Sequence, residues 1–390
     1  VALLALFLAS AVALRAQSPV GQLSDSARIS LMTVAPGEFV YSTFGHSALR
    51  VLDPLQRVDR CYNYGTFDFE QPGFLLKFCR GKLLYFLDLE PYRSFEYGNL
   101  SDRRAMQEQT LNLDKAQRQR LFQLLQENAR EENRHYQYDF FYDNCATRIR
   151  DIVKESLFHQ LNFDSSRLQQ GSTMRQLLRP YLNTHPWMQF GIDLVLGLPA
   201  DRRAAPEQFM FLPDYLHDMF ADAKLPNGQA LVAGERTIPQ QPFGAQRWEP
   251  GFFERPLWVC AFVALLGLLS MANPRTERIF DTLFWFVLGL AGLIMALLWF
   301  ATDHGATKTN FNLLWAMPTH LLVFWRRRGS EQLRNYFMVM AILAGIALVF
   351  WKFWPQEMPV AAIPIAGLVV VKGLWRQYWK RPSPDDEMQA

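Results

Sequence analysis

FYDNCATRIRD, residues 141–151, is the stretch on which the fold turns. The aromatic segment just before it, 134–143, alternates enough to read as a strand. The residues after it, 146–157 (ATRIRDIVKESL), carry Ile149, Ile152 and Val153 at helical spacing. Cys145 therefore opens a helix. A thiol at that place faces the positive end of the helix dipole, which favours the thiolate. The backbone N–H groups there can also hold an oxyanion. A lone cysteine is more often a small buried hydrophobe, so the thiol needs a partner before it carries chemistry.

Working outward, His46 in FGHSA (44–48) supplies a candidate base, and Gly45 lets the backbone approach closely. Segments 47–51 and 57–63 flank Asp53-Pro54 and read as a β-hairpin. If the hairpin pairs about residues 53–56, Asn63 stands opposite His46, where it can orient the imidazole. Residues 82–89 read as a further strand. Residues 114–130 read as an amphipathic helix with Leu121, Leu124 and Leu125 on one face. Strands and helices interspersed in this way predict an α+β domain. Ser42, Tyr64 and Asn144 lie next to the candidate residues and are expected as lipid or substrate contacts. Arg50, beside the hairpin, is read as part of a solvated strand face in preference to a phosphate ligand. Segment 188–198, between Pro186 and Pro199, is read as core, with docking on a bilayer surface as the alternative. No CxxC, HExxH, GxSxG or P-loop is present, so zinc, serine-hydrolase and nucleotide readings lack their motifs. Whether Cys61 and Cys79 are bonded stays open.

The chain has 390 residues, half of them hydrophobic, including 31 Phe and 11 Trp, which excludes disorder. Its 40 basic and 37 acidic residues leave a net charge of +3, so no nucleic-acid partner is expected. The apolar residues are concentrated beyond 256. Uncharged runs at 256–272, 282–302, 309–325 and 335–351 reach the roughly 17 residues needed to cross a bilayer core, and 358–371 is shorter. Basic residues sort by loop: Arg275 and Arg278, then Arg326, Arg327, Arg328 and Arg334, then Lys372, Arg376, Lys380 and Arg381 lie on one side. Only Lys308 and Lys352 lie on the other. Positive loops stay in the cytoplasm, so everything before 256 is expected outside. Residues 1–14 form an apolar stretch of secretory-signal character. The expected organisation is a signal-like segment at 1–16, a periplasmic domain at 17–238, a linker at 239–255, about five membrane helices at 256–374 and a cytoplasmic tail at 375–390. Asp303 and His304, at the outer mouth of the second run, are read as interfacial, or as groups that bind a lipid headgroup or help dock the outer domain.

A His on a first strand, a polar residue on the next and Asn-Cys opening a later helix resembles the circularly permuted papain-like thiol enzymes, among them the NlpC-type group. TFGHSALRV, NYGTFDF, FYDNCATRIRD and DHGATKTNFNLLWAMPTHL are more closely similar to the Lnb family of bacterial lipoprotein N-acyltransferases. The resemblance implies a permuted papain-like domain followed by an all-α transmembrane bundle in the inner membrane, with Cys145 and His46 as catalytic residues. Asn63 as the third member rests on the hairpin geometry. The implied partners are a membrane phospholipid as acyl donor, diacylated lipoproteins as acceptors and the bilayer itself, with no cofactor and no metal. A thiol phospholipase or cell-wall peptidase on the same fold, and a non-catalytic membrane scaffold, are the alternatives.

Overall fold

The computed structural model describes residues 21–239, 251–325 and 330–378. The signal-like segment, most of the linker, Arg326, Arg327, Arg328 and most of the tail lie outside the described residues. The N-terminal half contains strands β1 (Arg28–Val34), β2 (His46–Asp53), β3 (Val58–Thr66), β4 (Leu84–Pro91), β5 (Met106–Leu111), β6 (His135–Gln137) and β7 (Val232–Ile238). Its helices are α1 (Phe74–Cys79), α2 (Tyr92–Ser101), α3 (Lys115–Asn128), α4 (Cys145–Ser156), α5 (Met174–Leu182), α6 (Pro186–Val195) and α7 (Pro213–Asp222). The strands form one antiparallel sheet in the order β6-β4-β3-β2-β1-β5-β7.

Side chains alternate across a strand, and both faces of the central strands are covered. Ile29, Leu31, Leu49, Val51, Tyr62 and Tyr64 face a core shared with Leu121 and Leu125 of α3, Ile149 and Val153 of α4 and Leu216 of α7. Met32, Val34, Ala48 and Cys61 face the other way, onto Tyr92 and Phe95 of α2. The α+β class expected from the sequence is the one observed, and a helical membrane part follows it.

Three local expectations are corrected, and one open question is answered. In the β2–β3 hairpin Leu49 pairs with Tyr62 and Asp53 with Val58, two residues away from the expected register. The cause is a longer turn, in which Asp53 Oδ1 accepts from the N–H groups of Leu55 and Gln56 and Arg57 takes φ 55°. An even shift keeps every side chain on its face, so His46 and Asn63 stay on one side, now on a diagonal. The strand expected at 134–143 stops at Gln137, because Asp139 Oδ1 accepts from Phe141 and Tyr142 N–H and turns the chain. Arg50 is not on a solvated face: it is 8% exposed, ion-paired to Asp59 and Glu108, and lies over the Tyr92 ring. Cys61 is buried, Cys79 is exposed, and both are free.

The C-terminal half contains α8 (Pro256–Ser270), α9 (Pro274–Phe300), α10 (Glu331–Val349) and α11 (Ile363–Tyr378). Segments Pro274–Phe300, Glu331–Val349 and Val360–Tyr378 are long and apolar enough to cross a membrane, and Pro256–Ser270 is shorter. The run at 309–325 differs from expectation. It forms tight 3-10 turns at Phe311–Leu314 and Pro318–Trp325 in place of an α-helix. Pro318 removes a backbone donor. Gly289 and Gly292 on α9 leave room for this backbone, since a Cβ on either would run into residues 316–321.

Helix α6 joins the halves and settles the reading of 188–198. Met188 and Ile192, four apart, pack on the outer-domain core. Phe190 and Leu194, also four apart, pack on the membrane core. The carbonyls at its C-terminal end, which a helix cannot satisfy internally, are taken by the other half. Asn310 Nδ2 donates to Leu194 O (2.7 Å), Asn312 Nδ2 to the same oxygen (3.2 Å) and Gln356 Nε2 to Leu196 O (3.1 Å). Gly197 N–H donates to Ala306 O (2.9 Å) and Leu198 N–H to Thr309 O (3.1 Å).

Candidate active site

Cys145 is the first residue of α4, and Asn144 is its N-cap. Asn144 Oδ1 accepts from Ala146 and Thr147 N–H, each at 2.9 Å, while Thr147 Oγ1 accepts from Asn144 N–H at 2.7 Å. This reciprocal box satisfies donors that would otherwise be orphaned. Asn144 Nδ2 donates to Phe140 O and Phe211 O. Every polar atom of that side chain is thus engaged. Asn144 is 2% exposed, and its side chain holds the backbone at Cys145.

His46 begins β2 and reaches the thiol from the sheet, with Gly45 at φ 79° directly before it. Its Nε2 lies 2.6 Å from Asn63 Oδ1 on β3. Asn63 Nδ2 in turn donates to Glu90 Oε1 on β4 at 2.9 Å. That second bond fixes which end of the amide faces the imidazole. An oxygen acceptor there places the proton on Nε2, which leaves Nδ1 for the sulfur. Burial pushes the Cys145 thiol up, but the His46 charge and hydrogen bond, with the N–H groups of Ser47 and Ala146, outweigh it and bring the thiol below 9.0. Burial likewise pushes the imidazole down, and the Cys145 charge, its hydrogen bond and Asn63 carry it above 6.5. The two shifts are one fact seen from both partners: each charged form stabilises the other. Cys145 is 8% exposed, so water reaches the sulfur sparingly.

The other sequence candidates fall elsewhere. Ser42 is buried, and its hydroxyl donates to Phe39 O. Tyr64 is buried on the core side, and its hydroxyl accepts from Asn128 Nδ2. Both hydroxyls are thus engaged within the protein. Asp303 and His304 serve docking: Asp303 N–H donates to Arg80 O, and its carboxylate lies 3.7 Å from Lys82 Nζ. His304 Nε2 lies 3.1 Å from Phe78 O. Glu90 was missed because nothing in 82–91 marks it apart from a solvated strand end. Only the β3–β4 pairing, with Asn63 opposite Asp88, brings it beside Asn63. Arg104 was missed as well. It is buried beneath the loop before His46, donates to Ala35 O and Asn99 Oδ1, and opposes the positive charge of His46.

A family model described as the Lnb N-terminal periplasmic domain matches residues 23–180, and one described as the Lnb transmembrane domain matches 249–381. The chain belongs to the Lnb family. Lnb proteins are membrane proteins of lipoprotein maturation, and the two matched domains make this chain an inner-membrane protein with a periplasmic domain. The Lnb periplasmic match contains Cys145, His46, Asn63 and Glu90 together. No curated protein and no solved structure matches the chain.

Proposed function

We propose that this Lnb protein is a thiol-dependent lipoprotein N-acyltransferase built on a permuted papain-like domain, working on the periplasmic side of the inner membrane. The observation that carries the reading is the Cys145–His46–Asn63 chain at the start of α4, held in a domain docked on membrane-length helices. The Cys145 thiolate attacks the ester carbonyl carbon of a phospholipid. The N–H of Ser47, already directed at the sulfur, and the positive end of α4 are the groups assigned to stabilise the tetrahedral oxyanion. The C–O bond breaks, the lysophospholipid oxygen takes the proton of His46, and an acyl thioester remains on Cys145. The free amine of a diacylglyceryl-cysteine then attacks the thioester. His46 accepts its proton, the C–S bond breaks and the thiolate returns. Atoms balance without cofactor or metal.

Burial of the sulfur supports transfer over hydrolysis, because an amine presented on a lipid anchor arrives at high effective concentration while water does not. The test is expression of wild type and Cys145→Ser in a strain lacking its own apolipoprotein N-acyltransferase, with lipoprotein N-termini read by mass spectrometry. Triacylated termini with wild type alone are expected. Free fatty acid without N-acylation would instead mark a phospholipase, and equal outcomes for both proteins would mark a non-catalytic scaffold.

A further inference from the structure

A row of aromatic rings leaves the thiol and runs to the membrane. A Cβ on Gly65 would lie 3.4 Å from Cys145 Cβ and 3.7 Å from Tyr138 Cε2, so thiol and ring share one wall. Tyr138 stacks on Tyr85 with centroids 4.2 Å apart. Tyr85 meets Phe67 edge-on at 5.2 Å, Phe67 lies 6.0 Å from Phe74, and Phe74 lies 6.2 Å from Phe78. Exposure rises along the row. Cys145 is 8% exposed, the rings from Tyr138 to Phe74 are half-buried, and Phe78 is 49% exposed. Beside Phe78 on α1, Leu75 and Leu76 are 71% and 63% exposed, and α1 buries no residue at all. Water is a poor solvent for such a surface, and an apolar patch of this kind marks an interaction site.

The position of α1 identifies what covers it. Phe78 O and Arg80 O are held by His304 Nε2 and Asp303 N–H, just past Phe300, where the membrane-length helix α9 ends. The exposed side of α1 therefore lies beside the outer end of a membrane-length helix, where lipid chains would begin. We propose that the row Tyr138–Tyr85–Phe67–Phe74–Phe78 is the track along which one acyl chain of a phospholipid passes from the outer leaflet to Cys145, with Leu75, Leu76 and Phe78 seated among the lipids. What becomes of the chain at Cys145 rests on the thioester reading; its binding along the row does not. A chain drawn out of a bilayer needs apolar contact over its whole path, and ring faces supply that contact.

The test uses the full-length Cys145→Ala protein in vesicles of phosphatidylethanolamine doped with a phospholipid whose acyl chain carries a diazirine in its distal half. After illumination, adducts are mapped by peptide mass spectrometry. Adducts on Phe67, Phe74, Phe78 or Tyr85 are expected, and adducts confined to α8–α11 overturn the track. Wild type is examined in parallel for an acyl mass on Cys145. Row adducts without that mass leave the track standing and remove the thioester reading; the acyl mass without row adducts does the reverse. In a second measurement, Phe74→Ala lowers the ratio of turnover on a long-chain phospholipid to turnover on a four-carbon ester by about tenfold, as lost apolar contact with a long chain requires. An equal loss on both substrates overturns the track.

Discussion

Asn63 sits between an imidazole and a carboxylate, and both ends of its amide are used. Its value lies in direction: a free amide can turn its NH2 toward His46 and reverse the tautomer, and Glu90 prevents that. The pair Cys145–His46 should give a bell-shaped pH dependence of kcat/KM for the first acyl transfer. The sign follows from the shifts. The acid limb belongs to formation of the thiolate and lies below 9.0, because His46 lowers that thiol. The alkaline limb belongs to loss of the imidazolium proton and lies above 6.5, because the thiolate and Asn63 raise that ring. In Asn63→Ala one of the raising contacts is gone, so the alkaline limb moves to lower pH and the rate falls by about 10- to 100-fold. A stopped-flow pH series of thioester formation reads both; an unmoved alkaline limb would remove Asn63 from the site. Glu90→Ala should move the same limb in the same direction by less, and Glu90→Gln, which keeps an acceptor for Asn63 Nδ2, should recover much of the rate. Rescue by the isostere is an effect that a loss of packing alone does not produce.

At the scale of elements, α4 is the part that turns sequence into chemistry. Asn144→Ala removes two cap bonds at 2.9 Å and leaves the buried carbonyl of Phe211 and the part-buried one of Phe140 each short of a donor. A cap costs about 1 kcal/mol and buried unsatisfied groups about 1–3 kcal/mol. A loss of roughly 2–4 kcal/mol is therefore expected, seen as a lower Tm of the purified protein and as slower alkylation of Cys145 by iodoacetamide. Unchanged alkylation would separate the cap from the thiol. This element was legible because its signals are local: a polar cap, a helical spacing and a strand before it. The hairpin was legible in outline, yet its register was not, since a turn stabilised by the Asp53 carboxylate adds residues that hydropathy does not reveal. The third apolar run was legible as a stretch of membrane-spanning length and not as irregular. Its 3-10 turns depend on Gly289 and Gly292, which lie on a different helix. Glu90, Arg104 and the aromatic row were illegible for the same reason, as each depends on strands or helices that meet only in the folded chain.

The whole molecule works as a fixed assembly of an outer domain and a membrane part. Arg175 of α5, 1% exposed, binds Asp193 and Asp201 and donates to Leu196 O, which braces the end of α6 from the outer side. Gln356 reaches the same carbonyl from the membrane side. Gly197 lies where the two backbones touch, and a Cβ there would overlap the Lys308 carbonyl. Gly197→Ala should therefore force the halves apart while leaving the Cys145–His46–Asn63 geometry in place. Turnover of a membrane phospholipid is expected to fall by about tenfold or more, since a misplacement near 1 Å is enough for a loss of that order or larger. Turnover of a water-soluble short ester should stay within about twofold, because the affected contacts lie away from the thiol. Parallel assays in proteoliposomes measure both, and equal losses would show that the junction does not set the position of the site.

If the protein transfers acyl chains to amines as proposed, the clamped end of α6 also bears on which amines it would modify. With its carbonyls held from both sides, the thiol stands at one height above the lipid surface and has little freedom to swing outward. Only an amine tethered directly to a lipid-anchored cysteine lies at that height. Lysine side chains farther along a lipoprotein extend into the periplasm beyond it. On the proposed acyl transfer, selectivity for the terminal amine would follow from a ruler built into the protein, with no need for a pocket that tells one amine from another.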